Sequence, residues 1–377
     1  MSDRQRIAFL DYVRVAACFL VMLVHASENF YGADPSGMAG AVSYLSTPAN
    51  RIWVGFYDGI ARISVPLFII VSAFLLAPMP EGMSMGAFYK RRFLRILPPM
   101  AVFMLLYALL PLAWGGISRE QALLDLKTLP WNFPSMAGHL WFMYPLISLY
   151  LIIPVVSPWL RQAPARDERI FIGLFAFSTL IPFIHRFVSE EIWGECFWNG
   201  FHALWYCSGY LGYLVLAHYI RVHLKWERAR KIRVGLVYLV LGSAFTVWSF
   251  WHKGEVGVPI ATPMLEWAWE FCTPNVLCAT FGAFLLFSCI ERPQTPRLVR
   301  SLSDLSFGMY LMHMFWLNLW AKLLIGPGGD ADPAVPVWLA IPLIAVCTFV
   351  TSAAVTRLLS LLPASHWWLG TPRAKAG

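Results

Sequence analysis

The chain has 377 residues, of which 58% are hydrophobic and only 13% charged, against about 25% charged in an ordinary soluble domain. Its formal net charge of +8 would suit a nucleic acid only as basic patches on a soluble fold. The Lys and Arg residues fall between apolar runs instead, which points to lipid and to no nucleic-acid partner. The 18 tryptophans are of the residue type that settles where a bilayer meets water.

Crossing a hydrocarbon core of about 30 Å takes about 20 helical residues, and apolar stretches of that order recur near 7–29, 52–77, 93–114, 139–160, 168–185, 200–220, 234–251, 272–290, 304–325 and 335–362. The expected fold class is therefore an all-α integral membrane protein of about ten transmembrane helices, forming one membrane-embedded domain over residues 1–377. The longest connection, 115–138, carries Trp and Pro residues suited to an interfacial loop. Sorting the basic residues between alternate connections gives one rich set. It holds Arg4 and Arg6, Lys90 to Arg95, Arg161 to Arg169, Arg221 to Arg233, Arg292 to Arg300, and Arg373 with Lys375. Because cytoplasmic loops retain Lys and Arg, both termini are expected to be cytoplasmic. Asp11 and Arg14 interrupt the first apolar run, which favours an uncleaved first span over a signal peptide.

An ionisable residue near the centre of a span costs about 2.5 to 3.5 kcal/mol, so its presence is a functional hypothesis. Arg14 and His25 lie eleven residues apart in the first span, which brings them to within about 20° of one helix face and about 16 Å apart along it. Asp11, three residues before Arg14, can share that face and partly neutralise the guanidinium. The expectation is a polar path across most of the bilayer. Arg62 lies deep in the second span with Asp58 four residues before it, and a buried ion pair that only locks helices is the competing reading. His25 likewise reads either as a reacting group or as a histidine bonded to a neighbouring helix.

Between the second and third spans stands YKRRFLRILPP, residues 89–99, with Arg91, Arg92 and Arg95 close together. Arg92 and Arg95 are placed to clamp phosphate oxygens, or else to anchor the span and bind anionic lipid head groups. His139 opens the fourth span, His313 lies in the ninth as YLMH, and Glu266 and Glu270 precede the eighth. The seven cysteines show no metal-type spacing, so no metal is expected. A Cys196–Cys272 disulfide is open.

Together these segments resemble the acyltransferase family 3 membrane proteins over nearly the whole chain. The resemblance rests on the basic residue, ten residues and histidine of Arg14 to His25, on the RxxR pair Arg92 and Arg95, and on Arg62 followed by VPLFIIVSAFLL. It extends through GHLWFMYPLISLYLIIP at 138–154 and LSFGMYLMHMFWL at 305–317. The chain is more similar to the compact group without an appended extracytoplasmic domain, which includes O-acetyltransferases of enterobacterial common antigen and exopolysaccharide acylases. Ala73 departs from the glycine usual after the serine equivalent to Ser72.

The resemblance implies a multi-pass enzyme of the bacterial inner membrane. It would move an acyl group, acetyl by analogy, from cytoplasmic acetyl-CoA or another short-chain acyl-CoA to a hydroxyl of an extracytoplasmic or lipid-linked glycan. His25 would be catalytic, with Arg14 and Arg62 assisting, while Arg14, Arg91, Arg92, Arg95 and Ser72 would hold the donor. Trp141, His139, Glu270 and His313 would meet the acceptor. Arg62, Ser72 and the Trp141 indole are the candidates for stabilising an oxyanion. Partners beyond donor, acceptor and membrane lipid would be polysaccharide-synthesis machinery or a second copy of the chain. Two rivals stand beside this reading: a proton-coupled multi-helix transporter of a small polar solute and a non-catalytic scaffold.

Overall fold

The computed structural model describes residues 6–31, 38–39, 47–129, 131–189, 204–253, 260–325 and 335–371. Among them, the helices of ten residues or more are α1 (Ala8–Glu28), α2 (Pro48–Ala61), α3 (Ser64–Leu76), α4 (Met85–Leu109), α5 (Arg119–Thr128) and α6 (Met143–Gln162). They continue with α7 (Ala165–Phe187), α8 (Tyr210–Val222), α9 (Arg228–Lys253), α10 (Pro274–Ser288), α11 (Arg297–Ile325) and α12 (Val337–Leu359). A two-residue antiparallel ladder, Met38 with Ala261 and Ala39 with Ile260, ties the connection after α1 to the one before α10. Apart from this ladder the regular structure of the described residues is helical, as a chain that must satisfy its own backbone in lipid requires.

Among the described residues, six segments are long and apolar enough to cross a membrane: Ala8–Glu28, Pro48–Leu76, Met85–Trp114, Gly138–Gln162, Arg228–Lys253 and Val337–Leu359. The other four expected stretches coincide with α7 and α11, which open on charged residues, and with the shorter α8 and α10. Large apolar side chains such as Leu97, Leu105, Val155, Leu241, Leu323 and Val350 stand exposed along these helices, the arrangement of a surface whose solvent is hydrocarbon.

α1 sits in the middle of the bundle and packs against α2, α3, α10, α11 and α12. Its polar residues therefore face protein rather than lipid. α9 and α10 cross closely because small residues line the contact. A Cβ on Gly242 would come within 2.6 Å of the Ala279 nitrogen, and one on Gly282 within 2.5 Å of the Gly235 carbonyl oxygen. The same contact is tied by Asn275, which donates to Thr246 Oγ1 at 2.7 Å and to the Ala268 carbonyl at 2.8 Å.

Three expectations change. The second apolar stretch is two helices, with Arg62 and Ile63 at the join. Pro66 has no N–H to give the Arg62 carbonyl, so the helical ladder is interrupted there. The 115–138 connection contains α5, whose first turn is capped by Ser118 accepting from the Gln121 N–H at 3.0 Å. Asp11 acts on Arg14 through its charge and makes no hydrogen bond to it. It binds Arg6 through two contacts of 2.6 and 2.8 Å and accepts from Ser303 and Thr295 at 2.7 Å each, pinning the start of α1 to the start of α11.

Candidate active site

Two cavities lie one after the other along α1. The first, about 310 Å3, is lined by His25 and Glu28 of α1, Arg62, His139 and Trp141, with Glu266, Trp269 and Glu270 at its far side. The second, about 200 Å3, is lined by Arg14, Ser72, Arg92, Arg95, Tyr150 and Asp304. Phe142 and Tyr310 line both cavities. Their rings meet edge to face at 5.8 Å, and the Tyr310 hydroxyl donates to the His139 carbonyl at 2.6 Å, fixing the ring in place. The continuous polar path expected along α1 is thus two chambers divided by an aromatic partition. Both side chains of α1 turn inward, Arg14 into one chamber and His25 into the other.

In the first chamber His25 Nδ1 lies 2.6 Å from Glu28 Oε2, one helical turn on. A carboxylate there holds the proton on Nδ1 and leaves Nε2 as the basic nitrogen. The ring stacks on His313 at 5.3 Å, and His313 meets His139 edge to face at 4.9 Å. His313 Nδ1 donates to the Tyr310 carbonyl at 2.6 Å and His139 Nε2 to the Leu311 carbonyl at 3.4 Å. His139 borders the chamber, whereas His313 is fully buried behind His25 and does not line it.

Arg62 sits at the join between α2 and α3, where its side chain turns into the bundle. Its Nε donates to Asp58 Oδ1 at 2.6 Å, and its Nη2 to the Tyr31 hydroxyl at 2.9 Å and to Glu266 Oε1 at 3.3 Å, with Glu28 Oε1 at 3.8 Å. The guanidinium also lies over the Trp269 ring at 4.5 Å. Tyr31 Oη is 2.8 Å from Asp58 Oδ2 and 2.6 Å from Glu266 Oε1. One cation therefore collects three carboxylates beside the imidazole, and such a network holds its geometry because each member limits the others. Of the three oxyanion candidates, Arg62 and Trp141 border the chamber of His25, while Ser72 borders the other. Glu270 is exposed at the first chamber's rim.

The second chamber is different in kind. It gathers three guanidiniums, Arg14, Arg92 and Arg95, around one carboxylate, Asp304, which is already bound by Arg6 at 2.9 Å. The charge nearest to balancing Arg14 is that of Asp11, whose oxygens are bound by Arg6, Ser303 and Thr295. Three like charges in a small space call for an anion, and the forked geometry of guanidinium suits phosphate. Arg91 is exposed and does not border this chamber.

Glu28, Tyr31, Phe142 and Tyr310 escaped the reading of the sequence. For Glu28 a signal was present, a carboxylate three residues after His25 on the same helix face. Phe142 and Tyr310 lie inside two of the quoted strings, without anything local to mark them as a partition. Cys196 lies outside the described residues, and with it the proposed pairing to Cys272.

No solved structure matches the chain. It is similar to YfiQ of Bacillus subtilis (strain 168), which carries the name of a membrane-bound acyltransferase, at 23% identity over 352 residues, 89% of this chain and 87% of that protein. It is also similar to nodulation protein 10 of Rhizobium leguminosarum bv. viciae, at 22% identity over 356 residues, 87% of this chain and 90% of that protein. The acyltransferase domain model matches residues 7–357, and a match of that extent, on an all-helical bundle with a histidine–carboxylate pair in its interior, places the chain in the family 3 membrane acyltransferases.

Proposed function

We propose that this acyltransferase carries an acetyl group from acetyl-CoA, on the side of the Arg92 and Arg95 chamber, to a glycan hydroxyl entering the His25 chamber from the opposite side. The observation that carries the reading is the pair of chambers in line along α1, one rich in guanidinium and the other holding an imidazole bound to a carboxylate. The rich basic set of connections then faces the cytoplasm, the ten apolar stretches all cross the bacterial inner membrane, and both termini are inside.

Arg14, Arg92 and Arg95 hold the phosphates of the donor, with Ser72 and Tyr150 beside them. The Phe142 and Tyr310 rings part to admit the pantetheine arm and close around it, and the thioester arrives at His25. There His25 Nε2 takes the proton of the acceptor hydroxyl as its oxygen attacks the thioester carbonyl. The tetrahedral oxyanion collapses, the carbon–sulfur bond breaks, and the imidazolium returns the proton to the leaving thiolate. Glu28 keeps the ring in the tautomer that makes this possible. Arg62 and the Trp141 indole border the same space and can meet the oxyanion. Glu270 at the rim, with His139, forms the acceptor side.

A transporter reading needs no thioester chemistry, and the family match favours acyl transfer over it. The test is purified protein in detergent with radiolabelled acetyl-CoA and a membrane glycan extract. Label should appear on glycan with wild type and not with His25→Ala. Sealed vesicles should use donor supplied on the Arg92 side alone. Transfer by His25→Ala at the wild-type rate, or donor use from the opposite side, would overturn the reading.

A further inference from the structure

A second cluster of chemistry-bearing side chains lies away from both chambers. Glu168, in the first turn of α7, is fully buried. Its Oε1 is 2.9 Å from Nδ1 of His218, a buried residue of α8, and 3.1 Å from Nε2 of His223, which ends that helix. The ligand atoms of the three residues all lie within 4.8 Å of one another. Glu168 Oε2 is buried too, and it has no hydrogen-bond partner among the described residues.

A carboxylate that serves only to bind two imidazoles would spread them over its two oxygens, since each accepts equally well. Here both nitrogens converge on one oxygen while the other has no hydrogen-bond partner among the described residues, which buried polar atoms normally avoid. A metal ion removes the anomaly. In a tetrahedral site with bonds of about 2.0 to 2.1 Å, neighbouring ligand atoms stand about 3.3 Å apart; the two oxygen–nitrogen distances are close to this, and the two nitrogens, within 4.8 Å of each other, need only a small approach. Two imidazoles and one carboxylate form a borderline donor set that suits zinc, with the fourth position left for water. The second carboxylate oxygen can then lean on the ion as well.

We propose that Glu168, His218 and His223 bind a divalent transition metal, zinc by donor type, as a clamp between the start of α7 and the end of α8. The two histidines are five residues apart, but His223 is the residue that caps the end of α8, and its ring lies 6.2 Å from that of His218. None of the three lines the chambers of the acyl-transfer reading, so the clamp stands whether or not that reading does.

The experiment uses full-length protein purified through a tag without histidines, with metal content measured by plasma mass spectrometry. About one zinc per chain is expected, and Co2+ supplied to chelator-stripped protein should give the visible absorption of a four-coordinate nitrogen–oxygen site that Zn2+ then displaces. Stripping should lower the thermal unfolding midpoint and zinc should restore it, as binding to the folded state alone requires. His223→Gln, the partly exposed member of the cluster, should insert normally and weaken zinc more than about 100-fold, beyond what is typical for losing a mere support of a ligand. Glu168→Gln should do the same. Wild-type protein that holds no zinc and shows no Co2+ spectrum, or His223→Gln that holds as much as wild type, overturns the proposal.

Discussion

The two chambers along α1 differ less in size than in how their charges are matched. Around His25 the charged groups are tied to one another, the exposed Glu270 at the rim aside: Arg62 meets Asp58, Glu266 and Glu28, and Glu28 also meets the imidazole. Around Arg14 the cations outnumber the acids three to one. A site that is internally matched keeps its geometry with or without substrate, which is what chemistry at a fixed atom needs. A site with surplus charge is incomplete until an anion arrives. On the function proposed above the contrast corresponds to a reacting end and a holding end, and each variant below strikes one end and should leave the other as it is.

The largest effect belongs to His25→Ala. General-base help is worth about 10² to 10⁴ in rate, so kcat should fall by that factor while the affinity for acetyl-CoA, read by isothermal titration, stays unchanged. A fall in donor affinity of the same size would merge the two ends and break the comparison. Next is Arg62→Ala, which strands the fully buried Asp58 and should cost about 3 to 5 kcal/mol of stability, as removing one partner of a buried pair does. Thermal unfolding in detergent reads this directly. Replacing both partners, Arg62→Met with Asp58→Leu, should recover most of the stability and none of the activity. Recovery of both would make Arg62 a lock between helices and nothing more.

At the holding end, Arg92→Ala and Arg95→Ala should each remove a charge-assisted bond worth about 1.5 to 3 kcal/mol. KM for acetyl-CoA should rise by about 10- to 100-fold with kcat little changed. The loss should be smaller for a donor analogue without its adenosine phosphates. Arg91→Ala, exposed and outside the chamber, is the matched control and should leave KM as it was.

The helices were legible because a bilayer imposes a length, and an apolar run of that length is visible without any partner. The Asp58 and Arg62 pair was legible for a similar reason: the two residues are one turn apart, so local spacing suffices. Asp11 shows the limit of the same rule. Its spacing to Arg14 was suitable, yet Arg6 and two hydroxyls from a distant stretch of chain took both of its oxygens. Tyr31, Glu266 and Trp269 reach Arg62 across 31, 204 and 207 positions, distances over which a single sequence carries no contact information. The partition was hidden for another reason. Phe142 and Tyr310 look like any core aromatics of a membrane helix, and only their shared position between two cavities distinguishes them.

That partition gives the finest test of the comparison, with the smallest effect on transfer itself. Phe142 is 7% exposed and packs on Tyr310 and Phe68, so Phe142→Ala should open a passage of side-chain width between the chambers. Water then gains a route to the thioester beside His25, which closure of such sites normally denies. Transfer to glycan should fall only a few-fold, while acetyl-CoA hydrolysis without acceptor should rise above that of wild type, measured as free thiol released in the absence of glycan. Phe142→Leu, which refills most of the volume, should restore the wild-type ratio of transfer to hydrolysis. Were hydrolysis unchanged in Phe142→Ala, the two chambers would be joined by some other route, and the aromatic pair would be packing rather than a barrier between a holding end and a reacting one.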